Sequence, residues 1–148
     1  MFKIHLTSLM GLVMLFSAHF ACAEQFIEDS DYIVHYSAFN STLVKPEVAK
    51  AYGLTRSRER GLLNISVQRK MPTGLPKPIT AQLKGYTGQL GGSEIPLKFK
   101  LITEGNAIYY LAEFRTSNGN KLNFDVKVQT TPERPPMELS FTQAFFAD

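Results

Sequence analysis

The sequence predicts an all-β fold, an antiparallel β-sandwich of about seven strands carrying one short helix. Three observations carry that expectation. From Tyr32 onward the apolar residues recur mostly at every second position, the period of a strand with one buried face. Turn residues separate these runs at the spacing of a sandwich. Only one stretch, Pro46 to Gly53, has both the period and the end signals of a helix.

The amino terminus is expected to be a secretory signal peptide, residues 1–23. Lys3 and His5 give a short basic start. Leu9 to Phe16 is an apolar run too short for a permanent span. Ala21-Cys22-Ala23 matches a small-residue cleavage site, which frees Glu24. A buried amino-terminal helix is the structural alternative, but nothing before Phe26 has helical period. Cys22 raises a lipoprotein alternative, in which it becomes an acylated first residue. The preceding His19-Phe20-Ala21 fits such a leader poorly.

Residues 24–148 are then one domain, long enough for a real core. Removing Lys3 takes the formal charge from +3 to +2. So mild an excess is not the footprint of a nucleic-acid binder, and no partner of that kind is expected. No apolar run in the mature chain is long enough for a transmembrane span. The single cysteine leaves with the leader, so no disulfide is expected although the exported chain meets an oxidising compartment.

In chain order, Tyr32 to Phe39 alternates but is partly apolar on both faces, which leaves its inward side open. Pro46 suits a first helical position, where its missing N–H costs nothing. Glu47 and Lys50 complement the helix dipole. Val48, Ala51 and Tyr52 fall on one face, and Gly53 can end the helix in a left-handed conformation. So short a helix needs packing, and it is expected to cover one end of the sheets. Leu63, Ile65 and Val67 mark the next strand, and Met71 to Pro78 is a proline-broken connection. Ile79, Ala81 and Leu83 mark another strand before a turn at Gly88 to Gly92. Ile95, Leu97, Phe99 and Leu101 read as one strand. Ala107–Arg115, Lys121–Gln129 and Met137–Phe146 complete the set.

Parity constrains two connections. Residues paired directly across two strands share a face. A Glu104-Gly105 tip that pairs Thr103 with Asn106 sets Leu101 opposite Ile108 and Phe99 opposite Tyr110. A three-residue Ser117-Asn118-Gly119 loop sets Phe114 opposite Leu122, Ala112 opposite Phe124 and Tyr110 opposite Val126. Both registers together place Lys100, Tyr109 and Lys127 in one row on the outer face.

The segments DYIVHYSAFNST, KPEVAKAYGL, RSRERGLLNISVQ and SFTQAFF resemble a family of exported proteins of gram-negative bacteria, domain of unknown function 4426. The resemblance spans nearly the whole mature chain. It implies a periplasmic location and an immunoglobulin-like domain, and it implies no activity or site residue.

The chemistry of the mature chain is sparse. Without cysteine it has no thiol nucleophile, CxxC pair or thiolate metal site. His35, its one histidine, has no ligand at metal spacing and reads as a strand residue beside a polar neighbour. No metal or cofactor is expected, and no G-x-S-x-G or phosphate-binding loop is present. Two basic features are candidate binding sites. Arg56, Arg58 and Arg60 suit carboxylate or phosphate, though arginines on a solvated loop that pair with nearby acids would look the same. Lys100, Tyr109 and Lys127 would form a basic platform around an aromatic face, or an ordinary solvated sheet. The expected function is therefore non-catalytic binding to an envelope protein or an anionic envelope polymer. The alternatives are an envelope enzyme using carboxylates alone, for example in glycan hydrolysis, and a chaperone or assembly factor acting through an exposed strand edge.

Overall fold

The computed structural model describes residues 25–147, and within them ten strands form two antiparallel sheets. They are β1 (Gln25–Glu28), β2 (Tyr32–Asn40), β3 (Arg60–Arg69), β4 (Lys77–Ile79), β5 (Gln82–Gln89), β6 (Ile95–Leu97), β7 (Lys100–Glu104), β8 (Ala107–Arg115), β9 (Asn120–Gln129) and β10 (Met137–Phe145). One sheet runs β1-β2-β3-β8-β7, with β4 against β3, and the other runs β10-β9-β5-β6. With β2, β3, β8 and β7 taken as A, B, E and D, and β5, β9 and β10 as C, F and G, this is the immunoglobulin order. The expected leader and the question of Cys22 lie outside the described residues.

Alternation builds the core from both sides. Val34 and Ala38 of β2, Leu63, Ile65 and Val67 of β3, and Tyr110, Ala112 and Phe114 of β8 face inward from the first sheet. Leu122, Phe124, Val126 and Val128 of β9, with Leu139 and Phe145 of β10, meet them from the second. The Phe124 ring stacks on Phe141 at 4.8 Å and meets Phe114 edge-on at 5.0 Å. Each such buried ring contributes about 2–3 kcal/mol. The Tyr110 hydroxyl, buried at one side of the core, accepts the Ala81 N–H at 2.8 Å.

Two of the expected strands are broken, for a common reason. Ile79 pairs with Val67 in the first sheet, whereas Gln82 to Gln89 pair with β9 in the second. Ile95 to Leu97 pair with β5, whereas Lys100 to Glu104 pair with β8. The chain therefore changes sheets at Thr80-Ala81 and again at Lys98-Phe99. Its inward residues stay inward during each crossing, so the period reads as one strand.

Both expected registers are corrected. β7 and β8 do form a hairpin, but Glu104 pairs with Ala107 across a two-residue Gly105-Asn106 tip, with Gly105 at φ 55°. Leu101 then meets Tyr110, and Lys100 meets Leu111. The tip is one residue further along than expected and has the preferred hairpin length. β8 and β9 are not a hairpin. They lie in opposite sheets, joined by an arch over Thr116–Gly119, so their even-numbered residues face each other across the core.

The helix α1 (Pro46–Tyr52) starts and stops as expected. Gly53 sits at φ 64°, and Leu54 N–H donates to the Ala49 carbonyl at 2.8 Å, closing the last turn. Its buried residue is Ala49, while Val48 and Ala51 are exposed. α1 is tied to the outer face of the first sheet rather than lying over an end of the sandwich. Lys100 Nζ donates to the Tyr52 carbonyl, and Thr55 N–H donates to Glu113 Oε1 at 2.7 Å. Leu62 and Ile102 point outward on that same face yet are buried, and apolar residues there require such cover.

Candidate binding cleft at the sheet crossover

The crossing at Lys98-Phe99 leaves β8 only half paired. β7 accompanies it as far as Leu111, and from Ala112 to Arg115 its paired neighbour is β3 alone. The phase of the β3–β8 ladder follows from the Thr116 N–H, which donates to the Glu59 carbonyl at 3.0 Å. Phe114 and Ala112 therefore exchange main-chain bonds with Gly61 and Leu63. The amide groups of Glu113 and Arg115 point away from β3, where no described strand pairs with them.

Beside this edge lies a cleft of about 520 Å³, the size of a small-ligand site. β6 forms its opposite wall. Leu97, Phe114 and Leu122 are its apolar lining, and Ile95 stands at the lip, 57% exposed. Thr116 also lines it, buried, with no hydrogen-bond partner at Oγ1 among the described residues. Gly88 holds the β5–β6 connection close, since a Cβ there would lie 2.5 Å from the Ser93 carbonyl oxygen. At the outer rim Arg60 and Arg115 stand directly opposite each other across β3 and β8. Among the described residues, neither guanidinium is in an ion pair.

The residues singled out from the sequence are scattered. Arg56 donates through Nε to the Val44 carbonyl at 2.7 Å and through Nη2 to the Thr42 carbonyl, holding the short 3-10 turn at Ser41–Leu43. Arg58 is exposed, and only Arg60 of the three reaches the cleft. Tyr109 points outward and Tyr110 into the core, as expected. The expected row does not form, because Lys127 belongs to the other sheet. There it lies opposite Lys84 and Glu138, with Nζ 3.8 Å from the Glu138 carboxylate. Lys100 is drawn to the helix end. The second sheet has its own lysine–tyrosine grouping, Lys84, Tyr86 and Lys127, along a groove of about 400 Å³. His35 Nε2 lies 3.2 Å from Gln68 Oε1, the polar neighbour expected for it.

Sequence reasoning missed Leu97, Phe114, Thr116 and Arg115 as site residues. Pro96 carried the available signal. Proline belongs to edge strands and breaks, so a proline in the 95–101 run marks its first part, β6, as an edge strand distinct from β7. Among the described residues no three His, Cys, Asp or Glu side chains gather as metal ligands would, and no helix is long and apolar enough to cross a membrane.

Away from the cleft, Arg134 joins the β9–β10 connection to the β1–β2 turn. Its guanidinium lies 2.6 Å from Asp31 and 3.3 Å from Asp29, over the Tyr32 ring. The Arg134 hydrogen bond, with help from Ser30, holds the Asp31 carboxyl below the usual carboxylate range.

The comparisons with known proteins agree with this architecture. A DUF4426 family protein from Pseudomonas aeruginosa PAO1 has a crystal structure that is 38% identical in sequence, with a TM-score of 0.71. The match covers 84% of this chain and 96% of that one. FetP of uropathogenic Escherichia coli, expressed recombinantly in the periplasm, is 10% identical with a TM-score of 0.59, over 84% of this chain and 94% of FetP. A copper-bound FetP variant is likewise 10% identical, with a TM-score of 0.56 over 84% and 96%. At that identity the two FetP structures share the fold alone. No curated protein matches the chain. The family model described as Domain of unknown function (DUF4426) matches residues 27–148, and the chain belongs to that family.

Proposed function

We propose that this chain is a non-catalytic binding module of the bacterial periplasm, exported by its leader, that takes an extended segment of a partner protein by strand addition to β8. One observation carries the reading: the main-chain groups of Glu113 and Arg115 face an apolar cleft at the point where β7 leaves the sheet. Strand addition needs an unpaired edge for main-chain bonds and pockets for alternate side chains. Here the edge supplies the first, and Leu97, Phe114 and Leu122 the second. The leader expected over residues 1–23 supports the location. The copper of the FetP variant is not carried over, because among the described residues no three His, Cys, Asp or Glu side chains gather as metal ligands would. Among the described residues no carboxylate pair faces the cleft to favour the enzymatic alternative, since Glu113 is the one acidic lining residue there and already accepts from Thr55.

The test begins with a photo-crosslinking residue at Ile95 in living cells. The captured segment is identified by mass spectrometry, resynthesised and titrated against the purified protein by NMR. The expected result is shifted amides at Leu97, Glu113 and Arg115, and loss of binding in Arg115→Pro, which removes an edge N–H without breaking a β3 bond. Binding that is untouched by Arg115→Pro, or shifts confined to another face, would overturn the reading.

A further inference from the structure

We infer that the segment accepted at this edge carries a carboxylate on the residue that lands beside Arg115. The inference rests on the strand-addition reading and names the chemistry of the partner. A strand laid along Ala112–Arg115 alternates its side chains between the two faces of the sheet. The residue beside Phe114 points into the apolar cleft. The residue beside Arg115 points to the outer rim and extends the row that already contains Arg60 and Arg115. Like charges directly opposite each other destabilise a sheet, so this row is incomplete as it stands. No described carboxylate pairs with either arginine. Glu113, two residues along, is occupied by the Thr55 N–H. Lys100, the first residue of β7, is occupied by the Tyr52 carbonyl, and the exposed Lys98 lies on the crossover, off both strands. The two guanidinium forks are thus the cations of the Arg60–Arg115 row itself, and a planar carboxylate is the ligand their geometry suits. The preferred segment has a carboxylate on one face and an aliphatic side chain on the other.

Two blocked synthetic heptapeptides test this, one alternating valine with aspartate and the other valine with asparagine. Each is titrated by NMR against the full protein and against Arg115→Gln, Arg60→Gln and Arg56→Gln. The acidic peptide should bind about tenfold more tightly than the neutral one, and the preference should weaken as salt rises. Arg115→Gln and Arg60→Gln should each remove most of the preference, and Arg56→Gln should keep it. Free Arg115→Gln should also melt at a higher temperature than the parent, because the repulsion is relieved. Equal affinity for the two peptides would overturn the carboxylate inference and leave strand addition standing. If neither peptide shifts the Glu113 and Arg115 amides, strand addition falls as well. Equal shifts from inorganic phosphate or phosphatidylglycerol vesicles, without a peptide, would reassign the arginines to phosphate and overturn the inference.

Discussion

Gly61→Ala is the change whose sign separates two physical effects. Gly61 lies in β3 directly opposite Phe114 of β8, and its φ is outside the left-handed region. Replacing a glycine by alanine at such a position normally stabilises by about 0.4–1 kcal/mol, by restricting the unfolded chain. Here the added Cβ would lie 2.3 Å from Phe114 Cζ and 2.4 Å from Cε2. Carbon atoms prefer a separation of about 3.5–4.0 Å, so the ring must move by more than an ångström. Phe124 and Phe145 hold it at centroid distances of 5.0 and 5.1 Å, which leaves the cleft as the direction of escape. Overpacking of this kind costs about 1–3 kcal/mol. The net expectation is a loss of about 1–2 kcal/mol, which for a domain of this size lowers the melting temperature by roughly 3–8 °C. Urea titration followed by far-UV circular dichroism would measure it. Phe114→Leu in the Gly61→Ala background should recover part of the loss, a non-additivity of the kind expected between touching residues. A midpoint equal to or above that of the parent would show that Phe114 does not cover Gly61, and the described cleft wall would be wrong.

The ladder phase is checked by proline. Phe114→Pro should cost roughly 3 kcal/mol or more, because it removes a β3 bond and a core ring, whereas Arg115→Pro should stay within about 1 kcal/mol in thermal melts. The ion pair at Arg134 sets a pH dependence. The folded pKa of Asp31 is lowered, so its contribution is present above the unfolded carboxylate pKa and is lost as pH falls through the folded value. Asp31→Asn should therefore lower the melting temperature at pH 7 and make little difference near pH 2, and added salt should shrink the pH 7 effect. Arg56→Ala removes two bonds to carbonyls of the turn before α1. Hydrogen exchange should speed up across residues 42–54, while global stability changes by about 1 kcal/mol or less.

Features encoded by local chemistry were legible in the sequence. Pro46 and Gly53 bound the helix because one tolerates a missing N–H and the other a left-handed φ. Tyr109 and Tyr110 take opposite faces because a strand admits no other arrangement. The helix was placed less well. Val48, Ala51 and Tyr52 are apolar at helical spacing, yet Ala49 is the residue that is buried. The outward Leu62 and Ile102 were the available sign that this face is covered, and reading them needed the β7 register, which was one residue off at its tip.

The arch between β8 and β9 shows why alternation misassigned a neighbour, and what that did to the site. A hairpin partner shares a sheet, so its inward residues point the same way as those of the first strand. A partner across the sandwich faces them. Both arrangements put Ala112 and Phe114 in the core with Leu122 and Phe124, and a pattern of inward and outward residues has the same parity in each. Only the strand order distinguishes them, and that order is set by contacts distant in sequence, β3 against β8 and β5 against β9. The consequence is functional. A strand lying beside β8 on the side away from β3 would satisfy the amides of Glu113 and Arg115. In the arch β9 crosses to pair with β5 and β10, and β7 stops at Leu111, so those amides are left facing the cleft. The connection that sequence parity could not resolve is the one that leaves this edge of β8 without β9, and the proposed binding site depends on Phe114 and Phe124 meeting across the core instead of side by side in one sheet.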